Sequence, residues 1–189
     1  MPIRPAATVV LLRDGADGLE VWLQQRAMTL AFAAGMYAFP GGRVDEDEDI
    51  SAVTHDVSAE VMVWGDDDSS VVRAHLAAAA RETWEESGVR LNPAALTPWA
   101  RWVTPPGDTR RFDARFYLAT CPPDQRPAPL TGEVAAGSWF VVRAAVDAFA
   151  AGALPMWPPT ISTLTSLAAF DDVMAALAAA PTHIEAVTE

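Results

Sequence analysis

At 189 residues and 51% apolar content, the chain is long enough to bury one substantial core and reads as a single domain over 1–189. Its formal net charge of −12 excludes the concentrated basic surface that nucleic acid requires. A lone cysteine, Cys121, excludes an internal disulfide and agrees with a reducing cytoplasm, and no apolar run is long enough to cross a bilayer.

In chain order, residues 6–12 are an apolar, β-branched run that predicts a buried strand; it leads into Arg13-Asp14-Gly15 rather than a cleavage site. Residues 14–18 read as a turn and 19–25 as the returning strand of a hairpin. Residues 27–38 are ambiguous. A Gly-Gly turn follows in Phe39-Pro40-Gly41-Gly42-Arg43-Val44-Asp45, where the absence of Cβ atoms lets backbone groups approach a ligand. An acidic stretch at about 45–70 carries Asp45-Glu46-Asp47-Glu48-Asp49 and Asp66-Asp67-Asp68 and reads for the most part as a solvated loop.

A helix comes next. Val72, Leu76, Ala79 and Thr83 recur at helical spacing, Ala77 to Ala80 favour helix, Ser69 and Ser70 are N-cap candidates, and Gly88 stands where a left-handed C-terminal residue belongs. Further strands are expected at 99–103, 112–119 and 138–142, a Pro-rich loop at 121–129, and a helix beginning at 143–150. Ile161, Leu164, Leu167, Val173, Met174 and Leu177 predict one C-terminal helix at about 160–180 after Pro158-Pro159.

The chemistry is concentrated in Arg81-Glu82-Thr83-Trp84-Glu85-Glu86-Ser87-Gly88-Val89. Glu82, Glu85 and Glu86, at i, i+3 and i+4, share one helix face across an arc of roughly 100°. Such carboxylates repel one another, and a hard divalent cation relieves that repulsion. A solvated acidic face is the plainer reading of the same spacing.

Phe-Pro-Gly-Gly followed by Arg-Glu-Thr-Trp-Glu-Glu-Ser-Gly-Val resembles the signature of the Nudix hydrolases, specifically over about 26–89. The resemblance implies an α/β Nudix fold, a curved mixed β-sheet sandwiched between α-helices. It implies a metal-dependent hydrolase that cleaves the diphosphate linkage of a nucleoside diphosphate derivative with Mg²⁺ or Mn²⁺. Matching positions make Gly41, Glu82, Glu85 and Glu86 the metal ligands and Arg81 the residue that orients the glutamates. The general base falls to Glu82 or to Glu133, an acid on a later loop.

Two departures stand out. Between Gly42 and Arg81 lie 38 residues where the usual box has 13, which implies an insertion of about 25 residues covering the acidic stretch at about 45–70. The glutamate normally eight positions before the arginine is missing, because Arg73 stands there; Asp45 or Glu46 could supply it. Gln25-Arg26, Leu30, Phe32, Gly35, the Gly-Gly turn and Arg111-Phe112-Asp113-Ala114-Arg115-Phe116 further resemble a coenzyme A diphosphatase branch. That likeness implies coenzyme A or acyl-coenzyme A as substrate, with Arg26, Gly42, Arg110 and Arg111 on it, the arginines gripping phosphates. Trp157 could line a base or pantetheine pocket or simply pack its Pro-rich loop, and for Phe112 and Phe116 core packing is the stronger reading. An ADP-ribose or NADH pyrophosphatase and a non-catalytic nucleotide-sensing module are the alternatives. Relatives are commonly homodimers, though no segment here demonstrates one.

Overall fold

A computed structural model describes residues 2–30, 33–66 and 68–188. Phe32 and Asp67, both singled out above, lie outside the described residues. The N-terminal hairpin forms as expected from β1 (Arg4–Gly15) and β2 (Gly18–Arg26). Their pairing covers only Leu12↔Val21 to Gly15↔Gly18. Beyond it β1 pairs instead with β4 (Gly41–Arg43), and β2 pairs with β3 (Tyr37–Ala38) and β7 (Val134–Val141). The strands of the hairpin thus part, and the Gly-Gly segment enters at the fork. On the other edge β1 runs parallel to β6 (Phe112–Thr120), which pairs antiparallel with β5 (Thr97–Val103); β5 ends the sheet against β8 (Ala186–Val187).

Helices cover both faces of this mixed sheet, as the α/β reading requires. On one face α1 (Ser58–Trp64) and α2 (Ser69–Ser87) pack on Ala7, Val9 and Leu11 of β1. On the other, α3 (Val142–Ala150), α4 (Pro158–Leu167) and α5 (Val173–Ala178) cover Val10 and Leu12. The alternation follows from the strand period of two, with a continuous apolar run marking a strand buried on both faces.

In α2 the stripe of Val72, Leu76, Ala79 and Thr83 is fully buried, and Gly88 adopts φ 74° to end the helix. Thr83 sits in the core because its hydroxyl donates to the Ala79 carbonyl at 2.7 Å. The N-cap is Asp68, whose carboxylate accepts from the Ser70 amide at 2.8 Å, rather than either serine. An ionised acceptor at the positive end of the helix dipole is a stronger cap than a hydroxyl.

Two other expectations are corrected. The acidic stretch at 45–70 is not chiefly a solvated loop: it contains a 3-10 turn at Ile50–Ala52 and α1, and it buries Val53, Val57 and Trp64 against α2 and the sheet. The single C-terminal helix is two, α4 and α5. Asp172 accepts from the Ala175 amide at 2.7 Å and starts α5 afresh, which turns Val173 and Ala176 into the core.

Candidate active site

The fork between β1 and β2 opens into a cleft of about 1080 Å³. Its floor is the face of the sheet that carries Arg4, Ala6 and Thr8 of β1 with Phe112, Ala114 and Phe116 of β6, which the parallel register sets side by side. At one end Gly41 and Gly42 meet the carboxylates of α2. The Gly41 amide donates to Glu86 Oε2 at 3.0 Å. A Cβ on Gly42 would fall 2.4 Å from the Glu82 carboxylate, so glycine is required for the strand and the acid to lie this close.

Burial raises the carboxyl pKa of both acids. Glu86 is pushed up to about 7, foremost by loss of solvent and further by the nearby charges of Glu82 and Glu133, against the opposing pull of the Gly41 amide and Arg26. Glu82 is also raised, first by burial, with Glu85 and Asp45 adding to the effect while Arg81 opposes it. Perturbed carboxylates grouped in a cleft are the signature of a functional site.

Arg81 stands behind them as an organiser. Its Nε donates to Glu48 Oε1 at 2.9 Å and its Nη2 to Glu48 Oε2 at 2.8 Å, a two-point grip. Nη1 reaches Glu82 Oε1 at 2.8 Å, and Nη2 donates to the Arg43 carbonyl at 3.0 Å, which ties α2 to β4. The Glu48 side chain is only 4% exposed. Burial by itself would raise its pKa, but the hydrogen bonds and charge of Arg81 prevail and hold it below the ordinary value.

Glu48 was not among the acids expected to supply the missing early glutamate. Of the two that were, Asp45 comes only within 3.7 Å of Arg81, and Glu46 is exposed with no contact to Arg81. The signal was present in the spacing. A glutamate eight places before the arginine in a 13-residue spacer is also the sixth residue after the glycine. Counted forward from Gly42, that residue is Glu48. Counting back from Arg81 lands on Arg73, which instead donates to the carbonyls of Val53 and His55.

Of the expected site residues, the cleft brings together Gly41, Gly42, Glu82, Glu86, Glu133, Arg26 and Arg110. It leaves out two. Glu85 is 44% exposed and turns toward Arg81 at 3.5 Å. Arg111 spends its guanidinium on the Thr104 carbonyl, at 3.2 and 3.1 Å from Nε and Nη2, and so closes the turn between β5 and β6. Trp157 lines the cleft, and Phe116 both lines it and packs edge-on against Phe39. Among the described residues no three acidic, histidine or cysteine side chains close on one point as a finished metal cage. The donors nonetheless suit a hard cation: all are oxygens, two are carboxylates raised in pKa, and a Gly42 Cβ would fill the gap beside one of them.

Residues 73–159 match the family model described as the NUDIX domain. The chain carries a NUDIX domain. The match begins within α2 and ends in α4, so it holds Glu82, Glu85 and Glu86 together with β5, β6 and β7. Among solved structures, a Nudix hydrolase from Alicyclobacillus acidocaldarius is 27% identical over 96% of this chain and 98% of its own, with a TM-score of 0.77. The Nudix domain of Shewanella oneidensis NrtR, solved with ADP ribose, is 15% identical over 89% and 88%, with a TM-score of 0.60. A Caenorhabditis elegans Ap4A hydrolase binary complex is 18% identical over 88% and 96%, with a TM-score of 0.57. A search of curated proteins finds no match to the chain. The fold is the Nudix fold, and the enzyme class is that of the Nudix hydrolases, which act on pyrophosphate bonds of nucleoside diphosphates and other acid anhydrides.

Proposed function

We propose that this Nudix domain hydrolyses the diphosphate linkage of a nucleoside diphosphate derivative in the cleft beside Gly41 and Gly42, with coenzyme A or an acyl-coenzyme A as the first candidate. One observation supports the reading: Glu82 and Glu86 are held half-buried against a glycine strand, at a cost in desolvation and charge repulsion that Arg81, Arg26 and the Gly41 amide offset in part and a bound cation would relieve. Acids kept in that arrangement serve a ligand, not the fold.

Glu82 and Glu86, joined by Glu85 and the Gly41 carbonyl, would hold Mg²⁺ or Mn²⁺. Such an ion supplies neutralisation of the phosphate oxygens and a more acidic bound water. The protein's own part is positional. Arg81, fixed on Glu48, sets the Glu82 side chain; the Gly41 amide sets Glu86. Glu133 lies in the same cleft, close enough for its charge to raise the pKa of Glu86, and together with Glu82 it is the candidate general base. Arg26, whose Nε is buried without a hydrogen-bond partner, is placed to take a phosphate oxygen.

We read Glu48 as the early glutamate of the Nudix box, so the inserted stretch falls after it, from 49 to about 73. The coenzyme A reading is supported by a cleft long enough for a nucleotide, with Phe112, Trp102 and Trp157 along one side for a base or pantetheine arm. An ADP-ribose or NADH-type pyrophosphatase is the second reading, prompted by the ADP-ribose complex of the Shewanella oneidensis domain.

Metal-dependent turnover of a panel comprising acyl-coenzyme A, coenzyme A, ADP-ribose, NADH and diadenosine compounds tests the proposal. Preferred cleavage of the coenzyme A members is the expected result. Preference for ADP-ribose or NADH would replace the substrate while keeping the chemistry. No turnover with either ion would leave a nucleotide-sensing module instead.

A further inference from the structure

All 13 basic residues of this chain are arginines, and ten of them are already engaged within the protein. Arg101 on Asp113 and Arg115 on Asp66 are typical: two-point pairs with both partners supplied by the chain. Three arginines differ. Arg4, Arg26 and Arg43 have no side-chain hydrogen bond or ion pair among the described residues, and all three line the one cleft. In a chain with 25 acidic side chains, three arginines with no side-chain hydrogen bond or ion pair among the described residues, all on one cleft, are available to a ligand.

They fall into two groups. Arg26 stands at the glutamate end, where its charge lowers the pKa of Glu86. Arg4 and Arg43 stand together further along. β1 and β4 are antiparallel with Ala6 opposite Arg43, so Arg43 projects from the same face as Ala6 and Arg4, on the neighbouring strand and one step diagonal to Arg4. Two guanidinium groups so placed repel each other, and no carboxylate is paired with either. Asp108, on the turn between β5 and β6, is the acid lining that part of the cleft, beside Arg110. Phe112 is the register partner of Arg4 on β6, which sets an aromatic ring next to the pair. Thr8 lies opposite Gly41, the residue that holds Glu86. At a strand rise of about 3.3 Å, Ala6 and Arg4 are roughly 7 and 13 Å from that point, about the breadth of one nucleoside.

We propose that Arg4 and Arg43 form a second anion subsite that takes a phosphate monoester borne on the ribose of the ligand, apart from the diphosphate to be cleaved. The inference deepens the diphosphatase reading and rests on it for the orientation of the ligand. It narrows the substrate class to nucleotides with an extra ribose phosphate, on either the 2′ or the 3′ oxygen. Guanidinium groups suit this task because two forks can share one phosphate through parallel N–H donors.

Calorimetry on the full chain without metal tests it, with AMP, adenosine 2′,5′-bisphosphate and adenosine 3′,5′-bisphosphate as probes. Repulsion between the glutamates and the shared 5′-phosphate is common to all three and cancels in their ratio. One bisphosphate is expected to bind at least tenfold more tightly than AMP, and which one does so identifies the ribose oxygen. Arg4→Gln and Arg43→Gln, each with its melting temperature checked, should bring that ratio close to one. Equal affinity for the three probes overturns the subsite, as does a ratio that survives in both variants. Because no turnover is needed, an inactive protein that keeps the ratio would count against hydrolysis and not against the subsite.

Discussion

The guanidinium of Arg81 holds the carboxylate of Glu48 at two points, 2.9 and 2.8 Å, across 33 residues of sequence. This contact fastens the start of the acidic stretch to the middle of α2, and through a further bond at 2.8 Å it fixes Glu82 in the cleft. Arginine suits the position because one planar fork can serve two acids and the Arg43 carbonyl at once. It links the frame to the chemistry.

Glu48→Gln should therefore behave as the loss of a supporting contact behind a ligand. A fall in kcat/KM of roughly 10- to 100-fold is expected, the size typical of partners that orient metal-binding side chains. Glu46→Gln, two residues away on the exposed stretch, should leave kcat/KM within about twofold. Steady-state kinetics on the pair decides the matter: equal rates for the two variants would remove Glu48 from the site.

Much of this arrangement was legible in the sequence, and the failures have physical causes. The strands β1, β2, β5 and β6 and the helix α2 were readable because each has a sustained hydrophobic period. Arg81, Glu82, Glu86 and the Gly-Gly strand were readable because their chemistry needs fixed spacing. Glu48 was missed because it sits in a run of five acids, and composition cannot say which one turns inward; only Arg81, 33 residues on, decides that. Arg111 was read as a phosphate ligand because the phrase it begins resembles that of coenzyme A diphosphatases, yet the nearby Thr104 carbonyl claims its guanidinium. The break between α4 and α5 escaped notice because Asp172 interrupts an otherwise helical period, and a capping role is visible only once the backbone has turned.

Gly42→Ala tests the close approach of β4 to α2. The glycine has no positive φ to protect, so the backbone accepts alanine, but the new methyl would land 2.4 Å from the Glu82 carboxylate. The flexible side chain yields rather than the strand. Activity is expected to fall by about 10- to 100-fold, as displacement of a catalytic group by ~1 Å can cause, with a melting temperature within a few degrees of the parent. Full activity in a folded variant would show that Glu82 need not sit where the structure places it.

The raised pKa of Glu86 sets a pH signature for the metal-free protein. A carboxyl whose folded pKa is about 7 against an ordinary 4.5 binds its proton more tightly when folded, so stability present below 4.5 is lost as the pH rises through 7. The effect is on the order of 3 kcal/mol. His75 acts in the opposite sense: burial lowers its pKa from 6.5 to about 4, so its contribution is present above 6.5 and lost as the pH falls toward 4. The parent should thus show a flattened profile between pH 4.5 and 7. Glu86→Gln removes one of the two opposing effects, and denaturation at several pH values should show the variant gaining on the parent across this window. Its turnover should fall at least about a hundredfold, since its charge is lost from the site. A parallel pair of stability profiles would mean that Glu86 is not perturbed.

Asp66 makes a different prediction, because its work is outside the cleft. Its carboxylate accepts from Arg115 at 2.6 and 3.0 Å, and the Arg115 side chain is 3% exposed, with its guanidinium 5.0 Å from the centre of the Trp64 ring. The pair fastens the end of α1 to β6. Asp66→Ala leaves a buried cation without a partner, which should cost about 3–5 kcal/mol. In a domain of this size that lowers the melting temperature by roughly 6–20 °C. Replacing both members, as Asp66→Leu with Arg115→Met, removes the uncompensated charge and should recover most of the loss. Below the transition, kcat/KM should be unchanged in the single variant, since neither Asp66 nor Arg115 lines the cleft. A single variant as stable as the parent would show that Arg115 finds solvent or another acid when Asp66 is gone, and the attachment of α1 would then rest on the apolar contacts of Val57, Val61, Val63 and Trp64.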